Sequence, residues 1–308
     1  MAGSILITPR SVTERGHPAL GRLSDAGFAV RFCTRGKQPA EAELLQLLPD
    51  CVGYLAGVEP ISARVLEAAK QLKVIARNGT GVDNIDLAAA ERLGIQVCRA
   101  EGANAQSVAE LTIGLVFALA RSLPFSDHGI KGGGWERRLG SELSGKTLGV
   151  VGCGRIGRIV AQLALGLGLR VVAYDVFPEP KFLPAGDFRF ASLDEVLSQS
   201  DVISLHAPAA SDGRPLLDAG AVAKLRPGVL VVNTARAGLV DAEAMLAALA
   251  NGHVAGLALD VFDLEPPTDR RLASHDRVIA TPHIGSYTRE SVDRLVDVAV
   301  DHLLRELA

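Results

Sequence analysis

The sequence predicts an α/β protein made of two doubly wound parallel-sheet domains. Three observations predict it. Short β-branched apolar runs alternate with helical patterns along most of the chain, as successive βαβ units require. A turn with three glycines, Gly152-Cys153-Gly154-Arg155-Ile156-Gly157, interrupts the alternation near the middle. The length, 308 residues, suits two ordinary domains.

In the first half, strands are expected near Ile5–Thr8, Phe28–Cys33, Val52–Leu55, Lys73–Arg77 and Ile95–Arg99. Helices are expected between them at Pro18–Ala26, Ala40–Leu48, Ser62–Lys70 and Asp86–Leu93. This half has no phosphate-binding glycine pattern. Next comes NAQSVAELTIGLVFALARS, Asn104–Ser122, a long helix whose apolar surface predicts burial between domains or subunits. The polar, glycine-rich stretch after it carries the only tryptophan, Trp135, and reads as the entry to the second domain. Six further strands are expected at Leu148–Val151, Arg170–Tyr174, Val202–His206, Val229–Asn233, Val254–Asp260 and Val278–Ala280. The helices between them are expected at Arg155–Leu167, Ser192–Ser200, Asp218–Leu225 and Asp241–Asn251. From Thr288 onward, Val292, Leu295, Val296, Ala299, Val300, Leu303, Leu304 and Leu307 recur at helical spacing. A terminal helix of this kind can pack back on the first domain. The expected partition is residues 1–100 plus 286–308 and residues 101–285, with a ligand cleft between the two domains.

Composition narrows the function. Hydrophobic residues make up 48% and charged residues 22% of the chain, and the formal net charge is −3. No basic surplus points to nucleic acid or an anionic membrane, and no uninterrupted apolar run reaches membrane-spanning length. The start, MAGSILITPR, lacks the basic region of a secretory leader and reads as a first strand. Cys33, Cys51, Cys98 and Cys153 show no metal-ligand spacing. They read as reduced core thiols of a cytoplasmic protein without a metal.

The central turn has the order of a dinucleotide-binding element: strand, glycine turn, helix N-terminus. Gly152 permits the tight turn. Gly154, without a Cβ, lets backbone approach a pyrophosphate. Gly157 lets the helix lie close to its strand, and the helix N-terminus presents N–H groups to the anion. The next apolar run, Leu169–Tyr174, ends in Asp175, an acid about 20 residues on that suits a ribose 2′-OH and repels a 2′-phosphate. The expected cofactor is therefore NAD, held by a Rossmann-like domain.

Ligands of open α/β sheets bind beyond the carboxyl ends of the strands. Arg236 follows one expected strand in NTARAG, Glu265 another in DVFDLEPP, and His283 a third in TPHIGS. An Arg can grip a carboxylate and polarise the neighbouring carbonyl. A His can exchange the proton, and a Glu beside it can orient the ring and favour imidazolium. Each residue alone is as readily a surface or loop side chain. His206, at the end of another expected strand in HAP, competes with His283 and could line the cofactor cleft without doing chemistry.

Taken together, RNGTGVDNID (Arg77–Asp86), NAQSVAELTIGL (Asn104–Leu115), VVGCGRIGR (Val150–Arg158), HAP (His206–Pro208), VVNTARAGLVD (Val231–Asp241), LALDVFDLEPP (Leu257–Pro267) and TPHIG (Thr281–Gly285) resemble the D-isomer-specific 2-hydroxyacid dehydrogenase family over nearly the whole chain. The phosphoglycerate dehydrogenase branch is the most similar. The resemblance implies an Arg236–Glu265–His283 catalytic set and substrate-carboxylate contacts from backbone near Asn78 and Gly79, with Arg236 and His283 also touching substrate. It implies cofactor contacts at Thr80, Arg155, Ile156, Asp175, Thr234, Ala235, Asp260 and Gly285, and at His206, Ala207 and Pro208 of HAP. It also implies a homodimer formed through the cofactor domain and the long helix.

The expected reaction is NAD-dependent interconversion of a D-2-hydroxy acid and its 2-oxo acid, in the manner of D-3-phosphoglycerate dehydrogenase with its place in serine biosynthesis. The alternative is a glyoxylate or hydroxypyruvate reductase, because LAGVEPIS (Leu55–Ser62) lacks the cation that some phosphoglycerate enzymes place there. A more remote alternative is a non-enzymatic NAD-sensing protein. Glu265 argues against formate-dehydrogenase-like members, which pair the His with Gln. Ala237 replaces the first of two glycines usual after the Arg, with little effect expected. The chain stops at Ala308, so the regulatory domains of longer members are not expected.

Overall fold

In the computed structural model, which describes residues 3–308, the chain forms two compact units. One runs through Asn104 and is completed by Ser286–Ala308; the other is Ala105–Gly285. The sequence reading set this boundary at residue 100.

The first unit contains β1 (Ser4–Ile7), α1 (Arg10–Arg15), α2 (Leu20–Asp25), β2 (Ala29–Phe32), α3 (Glu41–Leu47), β3 (Cys51–Ala56), α4 (Ala63–Ala68), β4 (Val74–Arg77), α5 (Leu87–Arg92) and β5 (Gln96–Arg99). Its sheet is parallel in the order β2-β1-β3-β4-β5. Both faces are covered, because successive side chains along a strand point to opposite sides. Leu6, Tyr54 and Ile75 pack with Leu44, Leu48, Val65 and Leu66. Ile5, Ile7, Leu55 and Val74 pack with Val296, Ala299, Val300 and Leu303 of the C-terminal helix, Arg289–Leu307. That helix therefore completes the first unit's core.

The second unit contains α6 (Ala105–Ala120), α7 (Leu123–Lys131), β6 (Thr147–Val151), α8 (Arg155–Gly166), β7 (Arg170–Tyr174), β8 (Phe188–Phe190), α9 (Leu193–Gln199), β9 (Val202–Leu205), α10 (Ala219–Lys224), β10 (Val229–Asn233), α11 (Ala242–Ala250), β11 (Val254–Leu259) and β12 (Val278–Ala280). The sheet is parallel in the order β12-β11-β10-β9-β6-β7-β8. The order reverses between β6 and β9, the topological switch point where dinucleotide domains bind their ligand.

Three elements escaped the sequence reading. β8 is a three-residue edge strand, too short to display a period. α1 is a mostly polar six-residue helix behind Pro9. α7 buries no side chain, and its sequence, LPFSDHGIK, is interrupted by Pro124 and Gly129. The long helix α6 packs one face within its own unit: Ala109, Leu115, Val116 and Ala120 join Leu148, Val150, Val160 and Ala164 in one core cluster.

Candidate active site

The three glycines of the central turn meet three different surroundings. Gly152 has φ +90°, and a Cβ there would lie 2.5 Å from the Ala207 amide nitrogen and 2.6 Å from the His206 carbonyl carbon. The turn after β6 is thus pressed on the turn after β9, at the switch point. A Cβ on Gly157 would lie 2.1 Å from the Gly152 carbonyl oxygen, so helix and strand approach as only glycine allows. A Cβ on Gly154 would meet nothing within 4 Å. Gly154 is the exposed N-cap of α8 and supplies no capping side chain. Packing requires the outer two glycines, while the middle one keeps an exposed helix N-terminus bare, as pyrophosphate binding requires.

Asp175, at the tip of β7, accepts hydrogen bonds from the Cys153 amide (2.7 Å) and the Phe177 amide (2.8 Å). It ties the glycine turn to the second strand, a structural task the sequence reading did not assign. Cys153 is buried, and burial pushes its thiol up to about 11.

β10, β11 and β12 lie side by side in parallel register, so their carboxyl ends share one edge of the sheet. Arg236, Glu265 and His283 follow those ends. His283 Nδ1 lies 2.8 Å from both Glu265 oxygens. The hydrogen bond to Glu265 raises the His283 pKa against burial, helped by the charges of Glu265 and Asp260 and opposed by Arg236. For Glu265, burial pulls upward. The His283 bond and charge, the Phe262 amide (3.2 Å) and the Arg236 charge outweigh it, leaving the carboxyl below its ordinary range. Arg236 is thus close enough to act on both members of the pair. With Nδ1 committed to Glu265, the proton His283 can exchange is on Nε2.

His206 differs. Its Nε2 lies 2.7 Å from Ser204 Oγ, and burial pushes its pKa down to about 3. A ring that stays neutral through the physiological range is a poor proton donor, so of the two candidate histidines His283 suits acid–base work.

The turn carrying His283 is strained and held. His283 has φ +51°, a conformation uncommon outside glycine. Asp260, buried at the end of β11, accepts hydrogen bonds from Thr281 Oγ1 (2.6 Å), the Ile284 amide (2.8 Å) and the Gly285 amide (2.7 Å). Gly285 rests on α6 through Ser107, whose hydroxyl donates to its carbonyl at 2.6 Å. The Arg236 turn has its own brace, missed from sequence. Asn233, fully buried, donates Nδ2 to the Arg236 carbonyl (2.8 Å) and accepts the Ala235 amide on Oδ1 (3.0 Å). Thr234 Oγ1 shares a 2.9 Å hydrogen bond with Thr112 of α6. The available signal was a polar residue closing an apolar strand.

Of the remaining expected residues, Arg155 and Ile156 open α8, and Ala207 and Pro208 follow β9 beside the glycine turn. Asn78, Gly79 and Thr80 belong to the first unit, following β4. There the Asn78 amide donates to the Ala56 carbonyl, the Ala100 amide donates to the Gly79 carbonyl, and Asn78 Oδ1 is buried without a hydrogen-bond partner among the described residues.

Residues 113–285 match the family described as D-isomer specific 2-hydroxyacid dehydrogenase, NAD binding domain. A hydroxypyruvate reductase of Thermotoga maritima is 42% identical over 271 residues, covering 86% of this chain and 88% of that protein. The human D-3-phosphoglycerate dehydrogenase is 41% identical over 275 residues, covering 88% of this chain. This chain spans about half of that relative's length, 51%. A crystal structure of a Thermus thermophilus protein superposes with a TM-score of 0.88 at 39% identity, covering 99% of this chain and 96% of the other. The bare helix N-terminus at Gly154 fits an NAD pyrophosphate, the tied Asp175 fits the adenosine ribose, and the strand-end pair fits proton exchange. With these matches, the chain belongs to the NAD-dependent D-isomer-specific 2-hydroxyacid dehydrogenase family.

Proposed function

We infer that this protein reduces a short, unphosphorylated 2-oxo acid of the hydroxypyruvate–glyoxylate class to the D-2-hydroxy acid, and runs the reverse oxidation. The observation that carries the reaction is the His283–Glu265 pair, raised and lowered in pKa respectively, on the strand-end edge it shares with Arg236. Arg236 would hold the substrate carboxylate with its planar fork. His283, kept protonated by Glu265, would donate Nε2–H to the carbonyl oxygen as it becomes an alkoxide. Backbone near Asn78 and Gly79 would add a further contact to the substrate carboxylate. Gly152–Gly157 and Asp175 would hold NADH, which when bound would supply the hydride.

The substrate class rests on the loop after β3. Residues Leu55–Ser62 carry neither Arg nor Lys, and their one charged side chain is the buried carboxylate of Glu59. A phosphate dianion gains nothing from that loop. The second reading, D-3-phosphoglycerate dehydrogenase, is favoured by the 41% identity to the human enzyme. The reading includes a homodimer, supported by the exposed apolar side chains of Trp135 and Leu139 in the irregular segment between α7 and β6.

The test is NADH oxidation with hydroxypyruvate, glyoxylate, pyruvate, 2-oxoglutarate and 3-phosphohydroxypyruvate. A kcat/KM preference for hydroxypyruvate or glyoxylate is expected. A preference for the phosphorylated acid would establish the second reading instead.

A further inference from the structure

The first sheet has its own topological switch point. In the order β2-β1-β3-β4-β5, connections turn in opposite directions on either side of the β1/β3 gap, the place where open α/β sheets take a ligand. In this chain a side chain fills that place. Glu59, only 1% exposed, follows β3. Its Oε1 accepts hydrogen bonds from the Thr8 hydroxyl at the end of β1, from the Tyr54 hydroxyl (2.5 Å) and from the Gly57 amide (2.9 Å). Gly57 also donates to Thr8 Oγ1 at 3.0 Å. A Cβ on Gly57 would lie 2.6 Å from Glu59 Oε2 and 3.3 Å from Pro9 Cα, so the loop is wrapped tightly around the carboxylate.

The loop so gathered is coupled to the next one. Asn84 donates Nδ2 to the Glu59 carbonyl (2.7 Å) and to the Gly57 carbonyl (3.4 Å), and its own carbonyl accepts the Ile61 amide (2.7 Å). Ile61 pairs with Ile85 in a parallel bridge. Asn78 donates its amide to Ala56, the last residue of β3. The loops after β3 and β4 therefore form one body, with Glu59 as its buried pin. The pin fills the switch-point crevice, and beside it the half-buried Asn78 and Thr80 leave the segment after β4 partly open to a substrate.

We propose that Glu59 is a positioning residue that sets substrate affinity: by gathering Thr8, Tyr54 and Gly57 it fixes the β3–β4 loop body that presents Asn78 and Gly79. This rests on the reading of backbone near Asn78 and Gly79 as substrate-holding. The reaction itself does not pass through Glu59. All three donors converge on one oxygen, so an amide oxygen in the same place serves as well as a carboxylate.

The experiment uses the full-length protein with NADH and the best 2-oxo acid from the substrate panel, and compares wild type with Glu59→Ala, Glu59→Gln and Tyr54→Phe. Glu59→Ala is expected to raise KM for the 2-oxo acid about tenfold, with kcat and the Kd for NADH within about twofold. Glu59→Gln should restore KM to within about threefold of wild type, because one acceptor oxygen remains. A merely structural role would lower Tm and leave KM unchanged, or would lower kcat and KM performance alike without rescue by Gln; either result overturns the proposal. If Glu59→Ala does not fold, Tyr54→Phe decides: a raised KM at unchanged kcat supports the pin, and an unchanged KM overturns it. If wild type prefers 3-phosphohydroxypyruvate, the proposed substrate class falls, while the same KM comparison run with that acid still tests the pin.

Discussion

Glu265→Gln isolates what the Glu265 charge does for His283. The amide keeps an acceptor for Nδ1–H and removes the negative charge, so the ring stays oriented while the imidazolium loses its partner. A hydrogen bond to a charged group contributes about 1.5–3 kcal/mol. The His283 and Glu265 side chains are 44% and 37% exposed, so solvent screening argues for the low end, about 1.5 kcal/mol. That corresponds to about one pKa unit. In the reductive direction His283 must start protonated, so kcat/KM is high below its pKa and falls as pH rises through it. The variant should lose activity about one unit earlier, and about tenfold in kcat/KM on the alkaline side of the wild-type transition. In the oxidative direction the neutral ring is required, and that limb should also move about one unit down, toward lower pH. The assay is a pair of pH–rate profiles of kcat/KM, one with NADH and one with NAD. Coincident profiles for variant and wild type would refute the claim that Glu265 raises the His283 pKa. A loss of activity equal at every pH would refute the electrostatic account and leave only ring orientation.

The same pair makes a stability prediction. The raised His283 pKa contributes stability that is fully present below the unfolded value, about 6.5, and fades as pH rises through the folded value. The lowered Glu265 pKa contributes stability present above about 4.3 and lost as pH falls through its folded value. The Tm deficit of Glu265→Gln should therefore be widest between about pH 4.5 and 6.5 and should narrow above neutrality; a deficit that widens with pH would reverse this sign. Asn233→Ala should cost about 1–3 kcal/mol by unfolding in urea, since it removes the buried side chain that pairs with the Arg236 carbonyl and the Ala235 amide. It should also lower kcat/KM well below wild type while the Kd for NADH holds; an unaltered kcat/KM would show that the Arg236 turn needs no brace. Gly154→Ala should fold with Tm near wild type and bind NADH more weakly, whereas Gly157→Ala, whose Cβ would strike the Gly152 carbonyl, should lose several degrees of Tm. Equal Tm for the two variants by calorimetry would contradict the separate roles of these glycines. Asp175→Ala should lower the NADH-over-NADPH ratio of kcat/KM at least tenfold or so, and should also weaken NADH because the Cys153 and Phe177 amides lose their acceptor. An unchanged ratio would remove Asp175 as the discriminator.

The sequence by itself determined the class of fold and the family, and it supplied the candidate residues for the chemistry. Buried parallel strands need both faces apolar, so they appear as β-branched runs. A dinucleotide turn needs glycine at fixed spacing, so it appears as a motif. Strand-end polar residues stand out against the apolar runs they close, and Arg236, Glu265 and His283 became candidates for that reason, although composition alone could not choose between His283 and His206. Tertiary structure distinguishes the two rings, because desolvation and the partner of each come from how the chain folds around it: Ser204 in a buried strand end for His206, Glu265 across the sheet edge for His283. It also revealed the braces. Asn233 and Asp260 stood in sequence as a strand-end polar residue and an expected cofactor contact; only the folded turns show the amides they bind. Glu59 showed least of all. One acid in a loop carries no period and no motif, and its burial depends on β1 and β3 becoming neighbours, which brings Thr8 to Glu59 across 51 positions of chain. Short-range patterns are written locally, whereas the hydrogen-bond partners of a buried polar group are set by which strands lie side by side.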